Sequence, residues 1–327
     1  MSEACFGDDA YYVHPHEGVL GQAIGRLANS AAIASARRVL MSRLPFPVLE
    51  SDVRDVVYMT WMVDAERAAR YVPAGLDLWT AAAAACGTRA RMPLAARPRE
   101  RGDLTPFTIL TYRHGHFGPS LLGRARALCP SPLQSNWRFY LRSVPAGAPA
   151  VRTVLFVRNV MDSLVYALGT RMFSDALPTH LAAEFAFDGM PDEGHLRVHG
   201  GVGSAPGLTA RWVRAAERSL PPAFEAAFGH WSAALDYLTL QDAAIAPIPH
   251  LQRLAVAGIS LPADVGSITP LQLDVASLAC PFVESLAPSG PPLCFHLPRV
   301  RFKALSEKVL PACAGARGPE LRGARCD

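Results

Sequence analysis

Alternation of polar and apolar positions predicts a strand in the segment TPFTILTYRHGHFGP, residues 105–119. Successive side chains of a strand point to opposite faces, so every second residue from 107 to 116 shares one face. One face carries Phe107, Ile109, Thr111 and Arg113, and the other carries Thr108, Leu110, Tyr112, His114 and His116. The second face is polar and rich in rings. We therefore expect a pocket beside it.

A second alternating run follows the Gly118-Pro119 break. Asn136, Arg138, Tyr140 and Arg142 share one side, whereas Trp137, Phe139 and Leu141 share the other, which we expect to face a core. The proline- and glycine-rich stretch VPAGAPA and the run RTVLFVR come next. Turn residues between two strand-like runs predict a hairpin over 136–158.

Helical spacing and capping residues predict further elements. The proline-free stretch 21–43 reads as one amphipathic helix, which packs on the domain or forms a homodimer contact. A strand over 56–63 leads to a helix that Asp64 caps. Later we expect a helix over 222–237 and strands over 195–199, 251–261 and 293–305. The glycine-rich loop GGVGSAPG lacks the residues of a phosphate or dinucleotide cradle, so no cofactor is predicted.

Composition describes an ordinary globular chain. Half of the 327 residues are apolar and 18% are charged, enough for a large core. No apolar run is long enough to span a membrane, and the N-terminus carries acids instead of a signal sequence, so we expect a cytoplasmic protein without a membrane partner. The seven cysteines show no C-x-x-C spacing, which disfavours disulfides and structural zinc.

Arginine supplies nearly all of the positive charge. Lys303 and Lys308 are the only lysines among the 32 basic residues. The arginines are spread over the whole chain and do not form one patch, so no nucleic-acid partner is predicted. The bias is typical of GC-rich coding, which makes an intermediate of secondary metabolism one candidate substrate.

The segments WMVDAERAARYVPAGL, TPFTILTYRHGHFGP, SPLQSNWRFYL and FSDALPTHL together resemble the YqjF-like bacterial domains of unknown function. That family is structurally related to acetoacetate decarboxylase. The resemblance implies an α+β fold, with a closed or nearly closed, mostly antiparallel β-barrel, a central cavity and peripheral helices. It divides the chain into an N-terminal extension with the amphipathic helix (1–50), the barrel domain (51–310) and a flexible tail (311–327).

The chain departs from acetoacetate decarboxylase at the catalytic lysine. That enzyme forms a Schiff base on a lysine whose pKa is lowered by a neighbouring lysine. This sequence has no Lys-Lys pair, and Lys303 alternates with apolar neighbours in RVRFKAL, where we expect it to be exposed. Schiff-base chemistry is therefore not predicted.

The polar strand faces supply the candidate site. As catalytic residues we predict His114, His116, Arg138 and Tyr140, and as substrate-binding residues Tyr112, Arg113, Asn136, Arg171 and Glu184. Histidine moves protons near neutral pH, and a guanidinium offers a planar donor fork to an oxygen. Two alternatives stay open: a metal held by the two histidines with Glu184 or His180, and a structural ion pair of Arg138 with Asp162 or Glu184. We predict no metal.

These residues predict an enzyme that acts on a small carbonyl-bearing substrate in the cavity. Arginine and tyrosine would polarise an oxygen while a histidine moves a proton, which suits lyase or cyclase chemistry. A non-catalytic protein that binds a small molecule or lipid in the same cavity is the alternative.

Overall fold

The computed structural model describes residues 11–82 and 102–311, which form a mixed α+β fold. Its helices are α1 (Val19–Ala28), α2 (Ala31–Met41), α3 (Ala65–Ala69), α4 (Leu164–Phe173), α5 (Pro222–Phe228), α6 (Trp231–Thr239) and α7 (Pro281–Ser285). Its first strands are β1 (Leu49–Asp64), β2 (Asp77–Leu78), β3 (Leu104–Arg113), β4 (Gly118–Pro119), β5 (Leu133–Ser143), β6 (Thr153–Met161) and β7 (Thr179–Leu181). The later strands are β8 (Glu184–Asp188), β9 (Glu193–His199), β10 (Leu208–Arg214), β11 (Ala243–Ile248), β12 (Arg253–Ser260), β13 (Thr269–Leu273) and β14 (Leu293–Val309).

Seven of these strands close into a ring. They follow the order β1, β3, β5, β6, β11, β12 and β14, and β14 pairs with β1 to complete the circle. Every pairing in the ring is antiparallel except the one between β6 and β11. Beyond β14 the sheet continues through β13, β10 and β9 to β8. The mostly antiparallel α+β class expected from the resemblance is thus confirmed.

Local sequence signals located many of the strands correctly. β5 and β6 form the predicted antiparallel hairpin, and Asp64 caps α3 by accepting a hydrogen bond from the Arg67 backbone N–H at 2.8 Å. The strand predicted over 56–63 is longer, because β1 begins at Leu49 and runs along β14 as well as β3.

The prediction that His114 and His116 share a strand face is wrong, because β3 ends at Arg113. His116 has a φ of 52°, a left-handed backbone conformation that a strand does not contain. Gly115 lies so close to the Asp52 carbonyl oxygen that a Cβ there would approach it to 2.4 Å. The chain therefore turns between the two histidines, and the strand alternation stops before them.

The single helix predicted over 21–43 is two helices, α1 and α2. The Asn29 side chain donates to the carbonyl oxygens of Tyr12 and Gly25, and the Ser30 hydroxyl accepts from the Ile33 backbone N–H. The Asn29 side chain thus binds the backbone at the end of α1, and the Ser30 hydroxyl binds an N–H that the first turn of α2 leaves free.

The strands of the ring bury side chains on both faces. One face includes Trp61, Phe107, Trp137 and Phe139, and it packs on the outer strands, where Trp212 of β10 joins the same core. The other face includes Tyr58, Tyr140 and Phe295, and it packs on α5 and α6. The predicted core trio on β5 therefore lies on the first face, and its polar neighbours lie on the second.

Three predictions fall wholly or largely outside the described residues. The stretch RARMPLAARPRERGD, residues 89–103, has no periodicity and five arginines, which predicts a solvated loop, and only 102 and 103 of it are described. The flexible tail predicted over 311–327 is described at 311 alone, and Cys5, Cys86, Cys313 and Cys326, for which no disulfide is predicted, lie outside the described residues. Among the described helices, none is long and apolar enough to cross a membrane.

Candidate functional site

A cavity of about 500 Å³ lies against the second face of the ring. Six of the seven ring strands contribute to its wall, and α4 and the segment after α2 cover it. Most of the wall is apolar, with Leu49, Val53, Val56, Leu110, Phe117, Phe156, Ile259, Val300 and Phe302 from the ring and its loops, and Phe46, Val165 and Phe173 from the cover. Polar side chains gather mainly on β5 and its neighbours. Such a cavity suits a mostly apolar small molecule with one polar end.

Arg138 is the buried cation of this cavity. Its side chain lines the wall although the residue is only 3% exposed. The guanidinium donates to the Leu238 carbonyl oxygen at 3.0 Å and lies 5.6 Å from the ring centre of Tyr58 and 5.5 Å from that of Tyr140. Leu238 belongs to the last turn of α6, where backbone carbonyls lack helical partners and favour a positive charge. Backbone and ring faces thus hold the cation in place.

No carboxylate among the described residues forms an ion pair with Arg138, so the structural ion pair considered for it is wrong. Asp162 accepts from the Leu133 backbone N–H at 3.0 Å, and Glu184 pairs with Arg197 at 3.4 Å. Burial would lower the pKa of Arg138, but the neighbouring Tyr140 and Tyr58 oppose it and the net direction is upward. The guanidinium therefore stays charged and retains capacity for an oxygen ligand.

Asn136 and Tyr58 add polar atoms without partners beside this cation. Both side chains line the cavity, and neither amide atom of Asn136 nor the Tyr58 hydroxyl has a well-directed hydrogen bond within the described part of the chain. Asn136 is 3% exposed and Tyr58 is fully buried. Buried polar groups are nearly always hydrogen-bonded in proteins. These atoms and Arg138 form what we call the oxygen anchor: Tyr58, Asn136 and Arg138.

Tyr112 and Tyr140 flank the anchor in different ways. Tyr112 lines the cavity, and burial raises the pKa of its hydroxyl. Tyr140 donates to the Leu238 carbonyl oxygen at 3.1 Å, so its own oxygen accepts from Thr108 at 2.9 Å. Tyr140 is therefore engaged in the wall, where it positions Arg138, and it is not among the cavity-lining side chains.

His114 is a buried wall residue behind the cavity. Its Nδ1 lies 2.8 Å from the Ser51 hydroxyl, and its Nε2 lies 2.6 Å from the Gln134 side-chain oxygen. An amide oxygen only accepts, so Nε2 carries the proton and Nδ1 accepts from Ser51. Burial lowers the pKa of His114 to about 4, although the bond to Gln134 opposes it. The imidazole is neutral and fully bonded at neutral pH.

Gln134 continues a chain of hydrogen bonds from His114 into the wall. Its amide nitrogen donates to Asn159 at 2.6 Å, and Asn159 donates to the Thr179 hydroxyl at 2.7 Å. Thr170 of α4 donates to the same hydroxyl at 2.7 Å. These hydrogen bonds therefore link the turn after β3 with β5, β6, β7 and α4, and they fix the wall on one side of the oxygen anchor.

The remaining predicted residues lie outside the cavity wall. His116 is half-buried in the turn after β3, and Arg113 is exposed. Arg171 donates to the Thr179 carbonyl oxygen at 2.6 Å and lies 5.2 Å from the Tyr12 ring centre. Glu184 is exposed on β8. Of the nine predicted side chains, the structure thus brings Tyr112, Asn136 and Arg138 together at the cavity, with Tyr140 behind them.

The alternative metal site is not assembled. His114 bonds to Ser51 and Gln134, His180 lies 2.6 Å from the Ser204 hydroxyl, and Glu184 pairs with Arg197. Among the described residues no group of three metal-ligating side chains occurs. Lys303 is also off the cavity: its amine lies 4.0 Å from Glu50, and it alternates with the cavity-lining Phe302 and Ala304.

A salt-bridge cluster fastens α2 over the cavity. Arg37 and Arg38 both bind the Asp175 carboxylate just after α4, and the Arg38 bonds measure 2.6 and 2.9 Å. The Asp175 backbone N–H donates to Glu307 of β14 at 2.6 Å. Burial acts to raise the pKa of Asp175, but the two arginines outweigh it and the pKa is lowered. Asp175 thus ties the N-terminal helices to the ring.

Sequence reasoning missed Tyr58, Gln134 and the Leu238 carbonyl. The alternation of β1 could have indicated Tyr58, because it shares a face with Val56. A backbone carbonyl carries no sequence signal, so the partner of Arg138 on α6 was beyond pattern analysis.

Comparisons with known proteins give distant structural neighbours. The sequence matches no protein-family profile and no curated protein. Among solved structures, the enduracididine biosynthesis enzyme MppR with HEPES bound shares 14% identity over 83% of this chain and 90% of its own, with a TM-score of 0.49. An acetoacetate decarboxylase shares 11% identity over 81% of this chain and 90% of its own, with a TM-score of 0.45. An acetoacetate decarboxylase-like enzyme from Sphingomonas wittichii RW1 shares 12% identity over 82% of this chain and 94% of its own, with a TM-score of 0.46. At these values the neighbours carry no argument about the reaction of this chain.

Proposed function

We propose that the protein is an enzyme that acts on a small carbonyl-bearing molecule held in the cavity, with a substrate oxygen at the oxygen anchor. The observation that carries this proposal is Arg138, a cation buried in an apolar cavity without a carboxylate partner in the described chain. Buried charges are normally paired. A carboxylate, carbonyl or enolate oxygen of a ligand is the partner that the planar donor fork fits.

The anchor suits reactions in which negative charge develops on that oxygen. When a bond next to a carbonyl breaks, as in the loss of carbon dioxide from a β-keto acid, the electron pair of that bond moves onto the carbonyl oxygen. Arg138, with the Tyr58 hydroxyl and the Asn136 amide as further donors, stabilises that charge. Donors fixed before the reaction in a low-dielectric site are effective for this purpose. Lyase or cyclase chemistry of this kind needs no Schiff base, and Lys303 does not line the cavity.

The apolar wall of the cavity indicates that the rest of the substrate is apolar. About 500 Å³ lies within the range of small-molecule pockets, and apolar side chains dominate the lining. An apolar carbonyl compound, such as an intermediate of secondary metabolism, has the matching chemistry. The YqjF-like assignment stays a hypothesis that rests on the quoted sequence segments.

Non-catalytic binding is the second candidate, and the placement of the histidines favours it. Neither His114 nor His116 lines the cavity, and the ring nitrogens of His114 bond to Ser51 and Gln134. A reaction that needs a histidine base would lack one at the ligand. The same anchor would then orient a stored or sensed carboxylic acid.

The test compares Arg138→Met with Arg211→Met, a matched control on the exposed part of β10. Replacing a buried charge by an apolar side chain of similar length is often neutral for folding, so the Arg138 variant should fold. Apolar β-keto acids, 1,3-dicarbonyl compounds and simple carboxylic acids are screened for binding by calorimetry and for conversion by NMR.

We expect wild type and Arg211→Met to bind and convert one of the carbonyl classes, and Arg138→Met to lose about 100-fold or more in turnover. Binding that depends on Arg138, without product in any class, would establish the binding protein instead. Equal binding and conversion by Arg138→Met would contradict both assignments.

A further inference from the structure

We propose that the surface around the cavity mouth docks on an anionic lipid surface. This mouth surface consists of α2 with the segment that follows it, the 3-10 segment Ser120–Leu128, and α4. Such a contact is peripheral and does not depend on the reaction in the cavity. The absence of a predicted membrane span does not bear on it, because surface attachment needs none.

The cavity reaches solvent at this surface. Val165 and Phe173 of α4 line the cavity and are also exposed, by 77% and 61%. Met41 and Phe46 line it beside α2, and Pro119 lines it where the 3-10 segment begins. All three parts of the mouth surface therefore border the same opening.

Large exposed apolar side chains occur on all three parts of the mouth surface. They are Val39, Leu40 and Leu44 on or after α2, Leu121, Leu122 and Leu128 in the 3-10 segment, and Val165 and Phe173 on α4. Leu121 is 79% exposed and Leu128 is 88% exposed. Scattered exposed apolar residues are ordinary, but a group of this size around a pocket marks an interaction surface.

The charges of the mouth surface all have one sign. Residues 30–48, 116–133 and 163–174 contain six arginines and neither aspartate nor glutamate. The flanking acids are engaged internally: Glu50 and Asp52 bind Arg126, Asp175 binds Arg37 and Arg38, and Asp162 accepts from the Leu133 backbone. Arg43 and Arg124 are exposed and form no ion pair with any described residue.

Exposed apolar side chains interspersed with free arginines match the interface of an anionic bilayer. Acyl chains accept the leucines, and lipid phosphates accept the guanidinium groups. A second copy of this chain would instead oppose arginine with arginine, which electrostatic complementarity disfavours. An apolar ligand would then pass between bilayer and cavity without crossing water.

The experiment measures sedimentation of the full chain with vesicles of phosphatidylcholine alone and of phosphatidylcholine with phosphatidylglycerol in equal parts. The variants are Leu128→Glu, Leu121→Glu and Arg124→Gln, all at exposed positions. Val275→Glu is the control, because Val275 is 65% exposed but does not belong to the mouth surface. It lies in a turn that contacts β10, one of the strands beyond the ring. Thermal melting verifies that each variant folds.

We expect binding to the anionic vesicles that weakens at high salt. Each leucine variant should lose about tenfold or more in affinity, because the apolar burial is removed. Arg124→Gln should lose about fivefold. Val275→Glu should bind like wild type. Failure to bind anionic vesicles, or equal binding by the leucine variants, would overturn the proposal. A dimer in solution that these variants dissociate, without vesicle binding, would assign the surface to a second copy and also overturn it.

Discussion

Replacing Asn136 by leucine should make the protein more stable while it weakens the site. Asn136 has two buried amide atoms without hydrogen-bond partners in the described part of the chain, and it borders a cavity of about 500 Å³. The cavity gives the leucine methyl groups room, so overpacking is avoided. Leucine also suits a strand better than asparagine does.

The magnitude follows from the cost of unsatisfied polar atoms. A buried polar group without a partner costs about 1–3 kcal/mol, and leucine removes that cost. The free energy of unfolding of Asn136→Leu should rise by this amount, with a melting temperature several degrees higher. Affinity for an oxygen-bearing ligand should fall by up to about tenfold, which corresponds to one lost hydrogen bond.

Gln134→Leu is the matched control on the same strand and the same face. Gln134 also lines the cavity, but its amide atoms bond to His114 and Asn159. Its replacement leaves both partners unsatisfied, so this variant should lose about 2 kcal/mol or more. Replacing an amide side chain by leucine is therefore expected to raise the free energy of unfolding at position 136 and to lower it at position 134.

The assay is urea unfolding followed by tryptophan fluorescence, with affinity measured by calorimetry on a ligand found in the carbonyl screen. An Asn136→Leu midpoint below that of wild type at equal slope would refute the reasoning. A higher urea midpoint for Gln134→Leu would refute it as well, because the hydrogen bonds of Gln134 would then make no measurable contribution to stability.

Three further predictions concern pH, the cover and packing. His114→Gln should flatten the pH dependence of stability between pH 6.5 and 4. Because the folded pKa of His114 is about 4, the unfolded chain binds the proton first, and the wild type should lose up to about 3 kcal/mol of unfolding free energy as the pH falls through this range. Wild-type urea midpoints that do not change across the range would contradict this. Asp175→Asn should lower the free energy of unfolding by about 3 kcal/mol and accelerate hydrogen exchange in α2 but not in β5. Exchange in α2 at the wild-type rate would argue against the role of Asp175 in fastening that helix. Gly194→Ala should lower the melting temperature and cost about 1–3 kcal/mol, because the new Cβ would lie 2.4 Å from the Trp212 indole nitrogen. Gly207→Ala is the control and should leave the melting temperature unchanged, since a Cβ there meets no described atom within 4 Å.

Signals that act over a few residues were readable in the sequence. The faces of β3 and β5 follow from strand alternation, which placed Tyr112, Asn136 and Arg138 on cavity-facing positions. The Asp64 cap depends on a backbone N–H three residues away. Alternation could not show where β3 ends, because Gly115 turns against Asp52, a residue of another strand.

The amino-acid sequence by itself thus indicated six of the seven ring strands, the faces of β3 and β5, and the chemistry of Arg138. The tertiary structure alone decided that β14 closes the ring on β1, that the Leu238 carbonyl holds Arg138 from 100 residues away, and that His114 bonds into the wall. Periodicity reports which side of its own strand a side chain occupies, a local property. Which distant segment lies opposite depends on the packing of the whole chain, and that packing left the oxygen anchor without a carboxylate partner among the residues that the structure describes.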